Sequence, residues 1–301
     1  MRYRPFGTSG AAVSNLTLSL GQDTLAKGRG AALELMYTAL ECGVNSYRLE
    51  TADPVVAEVL GEALSHVDRK LVSVGLTLGL GDGRSAQRDF SARGMTAAID
   101  RALHYSGLGW IDLAALQEPA EDELPRSSLD ALKAMRATGR VRLLGVAGDG
   151  AVMDAYVSTG AFDALLTPFD LNSGWPVRHR IRSAREQDMA VFAYDYFTDR
   201  RKRRRGPAAP VKKRLFGFGG GGEQHPERRG GDDAFGFLYR TQNWTAEAIC
   251  LAYVLTDPSI SSVIVAADEV DRLKMLAATP ERDMPPGLAA QIEMARVSRA
   301  A

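Results

Sequence analysis

The chain has 301 residues, with 37 Lys and Arg against 37 Asp and Glu, a formal net charge of zero, 45% apolar and 25% charged residues. These proportions belong to a folded globular chain and exclude a disordered or fibrous one, and the length is enough for one large core. Two cysteines, Cys42 and Cys250, lie in apolar surroundings without CxxC spacing, which excludes a disulfide framework or thiolate zinc centre and points to a reducing compartment.

The opening MRYRPFGTSGAAVS has no apolar stretch of signal-peptide length, and no later run reaches about 18 uninterrupted apolar residues, so a soluble cytoplasmic protein is expected. Short β-branched or Leu-rich runs then recur: NLTLSL (15–20), VNSYRLE (44–50), KLVSVGLT (70–77), WIDLAAL (110–116), RVRLLGVA (140–147), FDALLT (162–167), MAVFAY (189–194) and SSVIVA (261–266). Helical patterns separate them, including 28–43, 95–107 and 126–139, the last expected to open on a serine cap and to close on glycine. Strands alternating with helices predict a parallel sheet, and eight such units predict a closed (β/α)8 barrel, a single domain over 1–301. A doubly wound sheet is the alternative, weakened because no Gly-rich dinucleotide fingerprint follows the first strand.

About fifty residues separate the seventh strand from the helix before the eighth. They include 199–233, rich in Gly, Pro and Arg and without hydrophobic periodicity, as expected of a functional cover or a solvated loop. Between 200 and 229 there are eleven Lys and Arg against two Glu, which leaves the rest of the chain nine net negative. Arg200, Arg201, Lys202, Arg203, Arg204, Arg205, Lys212, Lys213 and Arg214, near Phe216 and Phe218, could grip nucleic acid, an acidic partner or the acidic barrel itself.

The order of pieces resembles the aldo-keto reductase family over nearly the whole chain. RYRPFGTSGAAVSNLTLSLG is similar to that family's N-terminal hairpin plug and first strand, and GVNSYRLETAD with EVLGEAL to its second βα unit. GLGWIDLAALQEP, GRVRLLGVAGD and AEAICLAYVLTDPSISSVIVA match the fourth unit, the fifth, and the last helix and strand. The resemblance implies carbonyl reduction with NADPH through a tetrad of Asp, Tyr, Lys and His. In it Lys, held by Asp, lowers the Tyr pKa so that the phenol can donate a proton.

At three of the four roles, those of Tyr, Lys and His, this sequence lacks the required side chain. The Asp position falls on Glu50, or on Arg48 if counted from Asn45, two residues being one strand period, so that both side chains point the same way. The Tyr position falls on Val55 or Asp53, the Lys position on Thr77 and the His position on Gln117. Tyr47 lies on the opposite strand face and cannot substitute by displacement. Of the implied cofactor positions, the Ser-Asn that holds nicotinamide corresponds to Ala147 and Gly148, and the Gln on the sixth strand to Leu166. Asp268 and Glu269 stand where the 2'-phosphate would bind. Tyr194 matches the aromatic on which nicotinamide stacks, but Asp195 follows it, and the resemblance gives the basic loop after the seventh strand a further, internal role, folding over bound cofactor.

The resemblance therefore implies the family's fold without its reaction: no cofactor, and a regulatory, scaffolding or partner-binding role like that of the glutamate-cysteine ligase modifier subunit. The alternative is an NADPH-dependent oxidoreductase whose acid has moved to Tyr194, Tyr196 or Glu50, supported by Arg48. A buried ion pair of Arg48 and Glu50 filling the vacated pocket is the structural reading of those two residues. Asp23, Glu50, Glu118, Asp195 and Asp268 fall at expected strand ends. Without HxH, ExxH or DxD spacing, and with His66, His104, His179 and His225 scattered, they read as solvated or capping groups rather than metal ligands. Trp110, Trp175 and Trp244 read as packing residues.

Overall fold

The computed structural model describes residues 1–80, 88–197 and 235–300. The basic segment 199–233, with all nine cations named above, and His225, lie outside the described residues. A hairpin of β1 (Tyr3–Pro5) and β2 (Ala12–Ser14) precedes eight strands: β3 (Leu16–Leu20), β4 (Ser46–Leu49), β5 (Ser73–Leu78), β6 (Ile111–Gln117), β7 (Val141–Ala147), β8 (Ala164–Pro168), β9 (Ala190–Tyr194) and β10 (Ser262–Val265). These eight pair in parallel, in chain order, and β10 returns to β3 to close the barrel. The helices described are α1 (Arg29–Glu41), α2 (Pro54–Leu64), α3 (Ala92–Ser106), α4 (Arg126–Ala137), α5 (Ala151–Ser158), α6 (Trp175–Glu186), α7 (Ala246–Leu255), α8 (Val270–Ala278) and α9 (Leu288–Ala300). None of the described helices is long and apolar enough to cross a membrane.

Alternation along the strands divides the core in two. Residues such as Leu16, Leu18, Leu49, Val74, Leu116 and Val191 are buried in the layer between strands and helices. Leu113, Ala115, Leu143, Leu166, Phe192 and Ile264 fill the barrel interior, which Phe6 and Val13 of the hairpin region close at the strand N-terminal ends. Phe6 meets Phe192 edge to face at 5.4 Å. Arg4 fastens the plug, donating to the carbonyl oxygens of Leu255 (2.6 Å), Asp257 (3.0 Å) and Ile260 (2.5 Å). These are the last carbonyls of α7 and the turn after it, which the helix cannot satisfy internally.

Two local expectations are corrected. The helix expected to open on a serine cap instead begins at Arg126 behind Pro125, with no side-chain cap, and Ser128 Oγ is buried without a hydrogen bond. Pro125 sits at φ −65°, already set for the entry, so the serines fall inside the first turn. Gly139, at φ +74°, does close the helix in the left-handed conformation that suits glycine. Trp110 and Trp244 lie under arginines: Arg69 and Arg142 flank Trp110, and Arg282 covers Trp244. Trp175, at the start of α6, is 70% exposed and is not a packing residue.

Candidate functional site

The C-terminal ends of the strands form the mouth where barrels of this kind carry their chemistry. Strand parity turns Arg48, Thr77 and Gln117 inward from β4, β5 and β6. Arg48 Nε donates to Thr77 Oγ1 at 2.9 Å and Arg48 Nη2 to Gln117 Oε1 at 3.4 Å. One guanidinium thus spans three strands and joins two of the positions compared with the tetrad. Glu50 reaches the other way, accepting from Ser19 Oγ of β3 at 2.9 Å. A Cβ on Gly21 would stand 2.3 Å from Glu50 Oε2, so the carboxylate lies in the space that this glycine leaves open. Arg48 and Glu50 thus reach toward opposite neighbours, Arg48 to Thr77 and Gln117 and Glu50 to Ser19.

Val55 belongs to the first turn of α2 and is 44% exposed. Asp53 caps that helix, its Oδ1 accepting from the amides of Val55 (2.9 Å) and Val56 (3.1 Å), and Pro54 follows at the first helical position. Both residues at the candidate Tyr position therefore serve the helix start. Tyr47 points away from the interior, and its hydroxyl donates to Val44 O at 2.7 Å.

Below Arg48 the interior is nearly full. Thr17 Oγ1 lies 2.8 Å from Ser46 Oγ and 2.7 Å from Ser262 Oγ. The cavity lined by these strands and Phe6 has a volume of about 20 Å³, room for roughly one water. A larger hollow, about 640 Å³, opens to the side against α3, lined by Ala52, Thr77, Arg88, Asp89 and Arg101 among others. Arg88 ties this flank to the mouth by donating to the backbone oxygens of Gln117 (2.6 Å) and Glu118.

Across the mouth, Ala147 and Leu166 are buried in the inner core. Gly148 has φ +149°, and a Cβ there would meet Glu118 Cγ at 2.9 Å and Met153 at 3.1 Å, so Glu118 covers it. Asp149 pairs with Arg180, a buried residue of α6 that also donates to Asp154 (2.6 Å) and to Gly150 O (3.1 Å). Tyr194 packs partly buried against the inner core. Burial pushes its phenol pKa up, the Glu118 and Asp195 carboxylates push it further, and Arg48 opposes them without prevailing. Glu118 and Asp195 both occupy the left-handed region, at φ 50° and 53°, so the chain turns sharply as it leaves β6 and β9.

At the end of β10, Arg272 makes a two-pronged contact with Glu247, Nη2 to Oε1 at 2.5 Å and Nε to Oε2 at 3.1 Å, and donates to Ala266 O. Asp268 lies 3.6 Å from the same guanidinium, Tyr196 donates to Glu247 at 2.8 Å, and Lys27 pairs with Glu269 at 2.8 Å. Sequence reasoning missed Arg180, Glu247 and Arg272. Arg180 is one of four arginines in WPVRHRIRSARE, and only the packing of α6 on the barrel selects which of them is buried. Among the described residues no group of three His, Cys, Asp or Glu is placed to hold a metal ion.

Eight parallel strands, an N-terminal hairpin plug and a polar mouth at the strand C-terminal ends define a plugged (β/α)8 barrel. A sequence model of the aldo/keto reductase family matches residues 17–293, and the chain belongs to that family. Among solved structures it is similar to the holo form of an aldo-keto reductase from Bacillus halodurans, at TM-score 0.77 and 19% identity over 98% of this chain and 96% of that one. The apo form of that reductase gives TM-score 0.69 and 18% identity over the same shares. A Pseudomonas aeruginosa protein described as an aldo-keto reductase gives 0.65 and 18%, over 92% of this chain and 95% of its own. At such identities the likeness is one of fold. No curated protein matches the chain significantly.

Proposed function

We propose that this barrel keeps the architecture of its family without its carbonyl reduction, and that it acts by binding, as a regulatory or scaffolding protein. The observation that carries the reading is the Arg48 bridge. Where reduction needs a Lys to depress a phenol and an imidazole to orient a carbonyl, there is a guanidinium held between a threonine and a glutamine. No phenol nearby is prepared to replace the missing donor. Tyr194 is shifted away from ionisation, Tyr196 donates to Glu247, and Tyr47 faces out of the interior. Protonation of a developing alkoxide needs an acid whose pKa is brought toward neutrality, and burial beside carboxylates does the reverse.

Steady-state and single-turnover assays with NADPH against a panel of aldehydes and quinones are expected to give no turnover above background. Turnover that a point change such as Arg48→Met abolishes would overturn the reading in favour of an oxidoreductase with a relocated acid. The basic segment 199–233 supports an acidic partner through its charge alone. A filter-binding titration at varied salt distinguishes nucleic acid, whose phosphate contacts give a steep salt slope, from an acidic protein surface.

A further inference from the structure

A barrel without a proton donor could still hold a dinucleotide, so cofactor binding is a question separate from catalysis. The family's seat for NADPH runs along the ends of β7 to β10, and a dinucleotide brings a pyrophosphate and, in NADPH, a further phosphate. The seat must supply either uncommitted cations or open backbone cradles. The cations and cradles that the structure places at these strand ends are already engaged. The cradle at Gly148 is covered by the Glu118 side chain, and that at Gly21 by Glu50. Arg180 is turned inward onto Asp149 and Asp154, Arg272 onto Glu247 and Asp268, and Lys27 onto Glu269. Asp195 follows Tyr194 directly, and its charge adds to that of Glu118 at the ring on which nicotinamide would stack.

We infer that the mouth excludes phosphate-bearing dinucleotides, because its own carboxylates fill the cradles and hold the guanidiniums that such a ligand would need. The physical cause is double. A phosphate entering here meets like charge at short range, and freeing Arg272 for it would leave the largely buried Glu247 carboxylate unpaired. The exclusion is independent of the missing proton donor: a chain that binds NADPH without turnover would refute it and leave the proposed loss of reduction standing.

The test is a titration of the full-length chain with NADPH and with NADH, followed by nicotinamide fluorescence and by calorimetry in low-salt buffer. No saturable binding is expected up to about 1 mM. Saturable binding below that concentration overturns the inference. The second arm neutralises the carboxylates in a Glu118→Gln, Asp195→Asn, Asp268→Asn variant, Asn being well suited to the left-handed backbone at 195. Dinucleotide affinity should rise by at least about tenfold and should fall again with added salt. If the triple variant does not fold by circular dichroism, Asp195→Asn with Asp268→Asn serves instead. A folded variant that stays silent overturns the assignment of the exclusion to these carboxylates.

Discussion

At the residue scale the molecule spends its charges on itself. Arg48, Arg180 and Arg272 each satisfy two or more neighbours, and the pattern recurs at the far end of the barrel around Asp112. Its Oδ2 accepts from Arg69 Nη2 at 2.5 Å and from the Val74 amide at 2.9 Å, and its Oδ1 from Trp110 Nε1 at 2.9 Å. Arg142, 3.4 Å away, is half exposed and contributes less through solvent screening. Asp112→Ala leaves the largely buried Arg69 guanidinium and a buried strand amide without their acceptor, a cost of about 3 kcal/mol. Urea unfolding of the variant checks this; a loss below about 1 kcal/mol would mean that Arg69 is rehydrated without penalty. Residues of this kind are only half legible in sequence. Parity placed Arg48 and Glu50 on the inward side and Tyr47 on the other, but the partners of Arg48 lie 29 and 69 residues away. No local pattern carries that information.

At the element scale legibility was high for strands and lower for helix ends. Parallel strands covered on both faces read as nearly continuous apolar runs, and all eight such runs became barrel strands in order. Helix starts depend on which of several capping groups wins, and at Arg126 the preset φ of Pro125 displaced the serine cap. Close helix contacts are also invisible beforehand: Gly61 of α2 lies so near Ser106 that a Cβ would fall 2.1 Å from its carbonyl oxygen. The seating of α9 on α7 is an element-level contact with a pH signature. Glu293 accepts from Tyr253 and, at 2.6 Å, from Arg296, while Arg178 lies 3.6 Å away. Burial works to raise the Glu293 pKa, but the hydrogen bonds from Tyr253 and Arg296 outweigh it and hold the carboxylate below its ordinary range. A depressed folded pKa means stability that is present above the unfolded pKa and lost as pH falls through the folded one. The urea midpoints of the parent and Glu293→Gln should therefore differ by a constant gap at neutral pH. That gap should close as pH drops below the ordinary glutamate range, and a gap that persists in acid would rule out this linkage.

At the scale of the whole molecule the barrel is stoppered at both ends, by the hairpin plug below and by the Arg48 row above. Between them lies little more than the space of one water. The interior of a (β/α)8 barrel is a packed core rather than a pore, and here the plug completes that packing. The plug should then rank among the largest single contributors to stability, although it stands outside the eight-stranded wall. Phe6 is 2% exposed and stacks edge to face on Phe192. Phe6→Ala removes a full aromatic ring from an interior whose wall is too regular to collapse onto the gap, at a cost of about 3–5 kcal/mol. Val297→Ala on the exposed face of α9, where the side chain is 61% accessible, is the control and should change stability by no more than about 0.5 kcal/mol. Equilibrium urea unfolding of the two variants beside the parent decides the matter. If Phe6→Ala loses no more than Val297→Ala, the hairpin merely rests against the barrel, and the closure that the architecture suggests is not what holds the molecule together.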